Sequence, residues 1–417
     1  MAEPASSTGP GTFPAPTPGP GGTGNPGSVL LVTPRWRRDG GIATHLQASA
    51  AALAAEGIDV TVLAREVEDT PAPAGVSVIE APSLLDRQAP AALRLEASSG
   101  LSPAVIHLHE LDDPVLVQKL RERAPVLISA HGYPGCTSGQ WYFKPGQECD
   151  RGHGPGCIGN LAFAGCAHTR DPRPLPGAYR RTTRAVAALR AADLAISYSS
   201  AVDRHLAANR IAHRRVVPLF ATLEPARDGG GAGDRRRVLF AGRIVAAKGL
   251  AVLIEAARDV EAEFVICGEG WQLERMRALA GRLGVAHRFD FRGWLAPDQL
   301  ALELAEASLV ALPSLWPEPF GLIGIEAHAA VRPVIASAVG GVGDWLEDGI
   351  SGLLVAPGDA GALAVKLNEL LGDPDRRRLM GEAGRRSVTE RFSKRHHVAA
   401  ILDAYREAAL RWERTSR

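Results

Sequence analysis

From Ser28 onward, short β-branched and aliphatic runs alternate with longer segments whose apolar positions recur at helical spacing. That alternation predicts parallel sheets with crossover helices. In the first half the strand-like runs fall at 29–33, 60–64, 76–80, 105–109, 126–129, 194–197 and 216–219. Between the first two, Ile42, Leu46, Ala50 and Leu53 mark one face of a helix that starts at the Gly40-Gly41 turn. The pattern breaks at 222–237, where TLEPARDGGGAGDRRR has no apolar periodicity, and it restarts at 238–241, 264–267, 289–292, 309–312, 334–336 and 353–355. The expected fold class is therefore α/β, with two doubly wound Rossmann-like domains facing across a cleft. Open α/β sheets bind ligands at the carboxyl ends of their strands, so the chemistry is expected there.

Composition narrows this further. The 47 basic and 46 acidic side chains leave a formal charge of +1, so no global field favours nucleic acid. No apolar run approaches the length of a bilayer span. Residues 1–27 are largely Pro, Gly, Ser, Thr and Ala with no basic residue, which predicts a disordered tail rather than a signal peptide. With five cysteines and no export signal, cytoplasmic residence is expected.

The candidate chemistry concentrates in the second half. In VLFAGRIVAAKGL (238–250), Gly242 ends a strand, Arg243 follows it, and Lys248 precedes a helix start. Two cations at a strand-to-helix turn suit a diphosphate, although such a pair alone also reads as solvated surface. FVICGEG (264–270) lets backbone at Gly268 approach a nucleotide closely, or simply makes a tight turn. PEPFGLIGIE (317–326) sets Glu318 and Glu326 around a helix start where the Gly321 and Leu322 amides can hold a phosphate or sugar oxygen. Carboxylates suit paired sugar hydroxyls, since each oxygen accepts hydrogen bonds. Two acids in this setting make little sense as core. Gly340, Gly341 and Gly343-Asp344 form a further permissive loop.

GRIVAAKG, EPFGLIGIE, AHAAVRPVIAS and GGVGDWLEDGISGLLV, in this order and spacing, resemble the donor-binding half of GT-B retaining glycosyltransferases of family 4 (glycosyltransferase group 1). The resemblance implies that Arg243 and Lys248 contact a donor diphosphate, that Glu326 holds the nucleotide ribose and that Glu318 sits beside the transferred sugar. Gly41, in the Gly40-Gly41 pair, resembles a glycine near the donor phosphate and sugar, and His131 in SAHGYPG resembles a histidine that reaches that sugar. Gly343-Asp344 departs from the Pro-Glu pair of many relatives. On this reading 28–221 bind acceptor, 222–237 link, 238–393 bind the nucleotide-sugar donor, and 394–417 form a helix that returns to the first domain. The expected activity is metal- and cofactor-free hexosyl transfer with retention, from a UDP- or GDP-sugar to an acceptor hydroxyl. The pathway stays open among cell-surface glycan, glycolipid and secondary metabolite. A nucleotide-sugar epimerase and a non-catalytic sugar-nucleotide-binding protein are the competing classes, and the E-x7-E segment argues against the first.

Other residues stay open between competing readings. Cys136, Cys149, Cys157 and Cys166 share a Gly/Pro-rich loop with His153 and His168, which suits a structural zinc, free thiols or disulfides. His107 and His109 share one strand face, as core histidines or, for His109 with Glu110, as acceptor contacts. The run Arg170, Arg173, Arg180, Arg181, Arg184 and Arg190 is a solvated helix face or a surface for an anionic acceptor or peripheral membrane contact.

Overall fold

The computed structural model describes residues 25–37, 40–68, 70–83, 100–109, 112–138, 149, 151–163, 166, 173–223 and 236–416. They fall into two compact units, 25–222 with 393–416 and 223–392.

The first unit holds β1 (Ser28–Trp36), β2 (Asp59–Val67), β3 (Val76–Glu80), β4 (Val105–His109), β5 (Val126–Ala130), β6 (Leu194–Ser197) and β7 (Arg214–Val216). They pair in parallel in the order β3-β2-β1-β4-β5-β6-β7. Helices α1 (Gly41–Ala55), α2 (Pro114–Arg121), α3 (Gly156–Phe163), α4 (Leu175–Ala191) and α5 (Ser200–Ala208) lie between strands in the chain. A sheet covered on both faces needs strands apolar on both sides. Accordingly β4 and β5 are buried at every residue, and VIHLH carries two histidines into that interior.

Two expectations fail here. Ile42 is 41% exposed, while Leu46, Ala50 and Leu53 form the buried stripe of α1. The last strand is Arg214–Val216, not 216–219. Pro218 has no N–H to give a ladder, and Arg214 and Arg215 tolerate the sheet edge by pairing with Asp203 and Glu407.

The second unit holds β8 (Arg237–Ala241), β9 (Glu263–Cys267), β10 (Phe289–Gly293), β11 (Leu309–Leu312), β12 (Val334–Ser337) and β13 (Gly352–Val355), parallel in the order β10-β9-β8-β11-β12-β13. Its helices are α6 (Leu250–Ala256), α7 (Leu273–Arg282), α8 (Pro297–Glu306), α9 (Leu322–Ala329), α10 (Ala360–Leu371) and α11 (Pro374–Arg391). Phe240, Phe264, Ile266, Leu253, Leu363 and Leu367 belong to one core cluster that joins strands to helices. Arg237, read from sequence as the end of the linker, instead opens β8. It is buried there because Glu303 and Glu306 both accept from its guanidinium. The last helix, α12 (Lys394–Ser416), belongs to the first unit, where it packs on α1. No helix among the described residues is long and apolar enough to cross a membrane.

Candidate functional site

In the second unit the strand order reverses between β8 and β11, and loops leaving two such strands diverge to leave a crevice at their carboxyl ends. The loop after β8 carries Arg243 and Lys248, and the loop after β11 carries Glu318. Both candidate regions therefore meet at the switch point.

Local backbone constraints hold them together. Gly249 sits at φ 68°, and a Cβ there would stand 1.8 Å from the Pro313 carbonyl oxygen. Only glycine permits that approach. Two residues away, the Leu315 amide donates to the Ala247 carbonyl at 2.8 Å, docking the two loops. Lys248 Nζ then donates to both oxygens of Glu318, at 2.7 and 2.9 Å, and the Ser314 hydroxyl donates to the same carboxylate. Glu318 is 2% exposed. Its carbonyl accepts from the Gly341 amide at 2.7 Å, so the Gly340-Gly341 loop fixes its backbone.

Glu326, on α9, is also buried, and it accepts from the Leu223 amide at 2.9 Å. Both acids are thus interior groups, contrary to the expectation that such a pair has no place in a core. Polar donors within the same unit satisfy them. Gly321 takes the left-handed N-cap of α9 at φ 91°, so the Gly321 and Leu322 amides lie at the helix start, where no preceding turn supplies carbonyls. Gly268 follows β9, where its backbone meets the Gly242 carbonyl. Arg243 differs from Lys248 in being exposed, and it has no ion-pair partner among the described residues.

In the first unit Gly41 begins α1 behind Gly40, whose φ is 92°. His131 follows β5 directly and lies beside β4. His109 Nδ1 and His131 Nε2 share a hydrogen bond of 2.8 Å. A chain of side chains continues behind them. His107 bonds Tyr405 at 3.0 Å and Ser129 at 2.8 Å, and Ser129 bonds Tyr198 at 2.7 Å. Ser49 joins His45 to His397. Periodicity placed His107 and His109 on one face but carried no sign that β5, the residue that follows it and α12 bring partners to them.

Burial pushes His107 down to about 3 and His131 and His397 to about 4, and it lowers His45 and His109 as well. These imidazoles are neutral in the folded protein at pH 7. The unfolded chain, with histidines near 6.5, binds more protons below that pH, so stability is complete above about 6.5 and falls as pH drops toward 4. We expect the first unit's unfolding free energy to decline by up to about 1.4 kcal/mol per pH unit for each such histidine. Denaturant titrations between pH 7.5 and 5 check this, and a flat profile refutes it.

Cys136, Cys149, Cys157 and Cys166 are free thiols of intermediate burial. Burial, followed by the charges of Cys149, Cys136 and Cys157, raises the Cys166 thiol. Among the described residues no group of three or more His, Cys, Asp or Glu is arranged to hold a metal. His153 bonds Thr183 instead, and His168 lies outside the described residues. The arginine run divides. Arg180 and Arg181 are exposed, Arg184 pairs with Asp113, Arg190 donates to the Asn209 carbonyl, and Arg170 and Glu110 lie outside the description.

Two parallel Rossmann-like units, one with a cation at its strand-order switch point, define the GT-B class. Family models agree: glycosyltransferase family 4 matches residues 39–221, and glycosyl transferases group 1 matches residues 225–387. The chain belongs to the group 1 glycosyltransferases. A D-inositol 3-phosphate glycosyltransferase of Nocardia farcinica is 37% identical over 221 residues, covering 48% of this chain and 48% of that one. The chain spans about half the length of the curated relatives it matches. Among solved structures, sucrose-phosphate synthase from Thermosynechococcus elongatus is similar with a TM-score of 0.71 at 23% identity, covering 91% of this chain and 98% of that one. Anabaena HepE, in complex with UDP and glucose, gives 0.67 at 18% identity, covering 90% and 98%. At such identities the likeness is one of fold.

Proposed function

We propose that the protein transfers a hexosyl-type sugar from a nucleoside-diphosphate donor, held by the second unit, to an acceptor hydroxyl bound by the first, with retention at the anomeric carbon. The observation that carries this reading is Arg243, an exposed cation without an ion-pair partner among the described residues, beside an anchored Lys248 at the strand-order switch point. A departing diphosphate gains negative charge as its bond to the sugar breaks, and fixed cations stabilise that charge most in the transition state. Glu318 and Ser314 hold Lys248 in place before the donor arrives, so little reorganisation is needed. The helix-start amides at Gly321 and Leu322 add donors for phosphate or sugar oxygens. Glu326 lies on the same helix, and ribose binding by it requires the carboxylate to exchange or share its contact with the Leu223 amide.

His131 has the place in this scheme of a group that meets the transferred sugar, and Gly41 that of close backbone approach to the donor. No carboxylate in the site stands as a covalent nucleophile in this reading. Same-face attack assisted by the departing phosphate is the route that retains configuration, and the resemblance to family 4 supports it. The UDP bound by HepE favours a uridine donor as the first to try.

The test is incubation with radiolabelled UDP- and GDP-sugars. Transfer to an acceptor, or slow hydrolysis to free sugar and nucleoside diphosphate, is the expected outcome. An epimerised nucleotide sugar establishes an isomerase instead, and binding without turnover establishes a sensor.

A further inference from the structure

His131 has two ring nitrogens in different settings. Nε2 bonds His109, whereas Nδ1 has no hydrogen-bond partner among the described residues and belongs to a half-buried side chain, which leaves it as the edge free to meet a ligand. The ring is held on two sides, its centroid 5.1 Å from those of both His109 and Tyr198. Tyr198 is fixed in turn by Ser129. What that open edge offers depends on where the shared proton lies.

Both imidazoles are neutral, so one proton lies between His109 Nδ1 and His131 Nε2, and each ring has one more nitrogen to leave bare or protonated. His109 Nε2 is fully buried without a protein partner, in a small cavity lined also by His45, Leu46 and Tyr405. If His131 donated, the proton of His109 would sit on that Nε2 as a buried N–H lacking a protein acceptor. A buried bare acceptor is the better tolerated of the two orphans. The lower-energy arrangement has His109 Nδ1–H donating to His131 Nε2, and the proton of His131 then resides on Nδ1.

We infer that His109 is a positioning residue that fixes His131 as its Nδ1–H tautomer, so that the open edge of His131 is a hydrogen-bond donor toward an oxygen of the ligand. This rests on the glycosyltransferase reading for the ligand, a sugar hydroxyl or ring oxygen, but the tautomer itself does not. A donor edge cannot take a proton from an acceptor hydroxyl. His131 therefore binds and orients, and it is not the general base. The periodicity of IHLHE did not distinguish this role from a core histidine, because the partner lies 22 residues away, just past the end of the next strand.

The experiment is a long-range proton–nitrogen NMR correlation on the full chain with 15N-labelled histidine at pH 7.5, His131 being assigned by its loss in His131→Asn. The expected result is a protonated Nδ1 and a bare Nε2 on His131. In His109→Phe the pattern should move toward the Nε2–H form that free imidazole prefers, whereas His109→Asn, whose amide can still donate, should retain Nδ1–H. Protonation of His131 on Nε2 in the unaltered protein overturns the inference even if neither variant folds, and so does a tautomer indifferent to His109→Phe. In the transfer assay His109→Phe should lower kcat by about tenfold or more, with donor KM little changed, because the ring loses its fixed orientation. Failure of every donor to react refutes the glycosyltransferase reading, and the NMR result still decides the tautomer.

Discussion

Arg243→Ala is expected to lower turnover by about 10²–10³-fold, some 3–4 kcal/mol of transition-state stabilisation, without weakening the fold. The side chain is exposed and has no ion-pair partner among the described residues, so its removal leaves no orphaned charge behind. Surface substitutions of that kind change stability by less than about 0.5 kcal/mol. Steady-state kinetics with the reactive donor, together with a thermal melt, separate the two effects. Protection of the protein by the nucleoside diphosphate product should weaken in parallel, since a ligand that binds only the native state raises its melting temperature. Unchanged turnover in this variant removes the diphosphate from the loop after β8.

Lys248→Met should behave differently, and the difference comes from Glu318. Removing the ammonium leaves a carboxylate that is 2% exposed with only Ser314 as its remaining side-chain partner among the described residues. Breaking a buried pair from one side costs about 3–5 kcal/mol, and since Lys248 keeps 18% of its own surface we expect the lower end of that range. Adding Glu318→Gln removes the stranded charge. The double variant should therefore recover most of the lost stability, as replacement of both partners of a buried pair commonly does. Turnover should not recover, because the cation is still missing. Chemical denaturation of the single and double variants, read as a double-mutant cycle, measures the coupling directly. A loss below about 1 kcal/mol in Lys248→Met shows that water already screens the pair. As half of a solvated surface pair, the alternative reading of the sequence, this lysine would be dispensable to the fold. Its bidentate contact with a buried acid makes it part of the fold as well as of the proposed chemistry.

The two roles also explain why Glu318 is a poor choice for an isolated activity test. Glu318→Gln alone removes the counter-charge that holds Lys248, so a loss of turnover in it reports on the lysine's position as much as on any contact of the carboxylate with sugar. Arg243→Ala carries no such ambiguity.

What the sequence determined is the local part of the structure. Strand-length runs named β3, β4, β6 and β11 to the residue; β4, β6 and β11 are buried at every position, as strands covered on both faces are, whereas β3 is a largely exposed edge strand. Glycine marked the turn after β9 at 268, where a Cβ would collide with the Gly242 carbonyl, and the left-handed helix starts at 249 and 321. The sequence also placed Arg243 and Lys248 on one loop, since their separation along the chain is short. It misplaced β7, where two arginines replace the expected apolar pattern and a proline ends the ladder.

Only the tertiary structure decided which distant groups meet. Lys248 and Glu318 are 70 residues apart and come together because β8 and β11 are neighbours in the sheet. Glu326 finds the Leu223 amide, and His109 finds His131, for the same kind of reason. Hydrophobic periodicity reports the face a residue occupies but not the element packed against that face. Strand order supplies the missing partner, and with it the protonation state, the counter-ion and the fixed orientation on which the proposed chemistry depends.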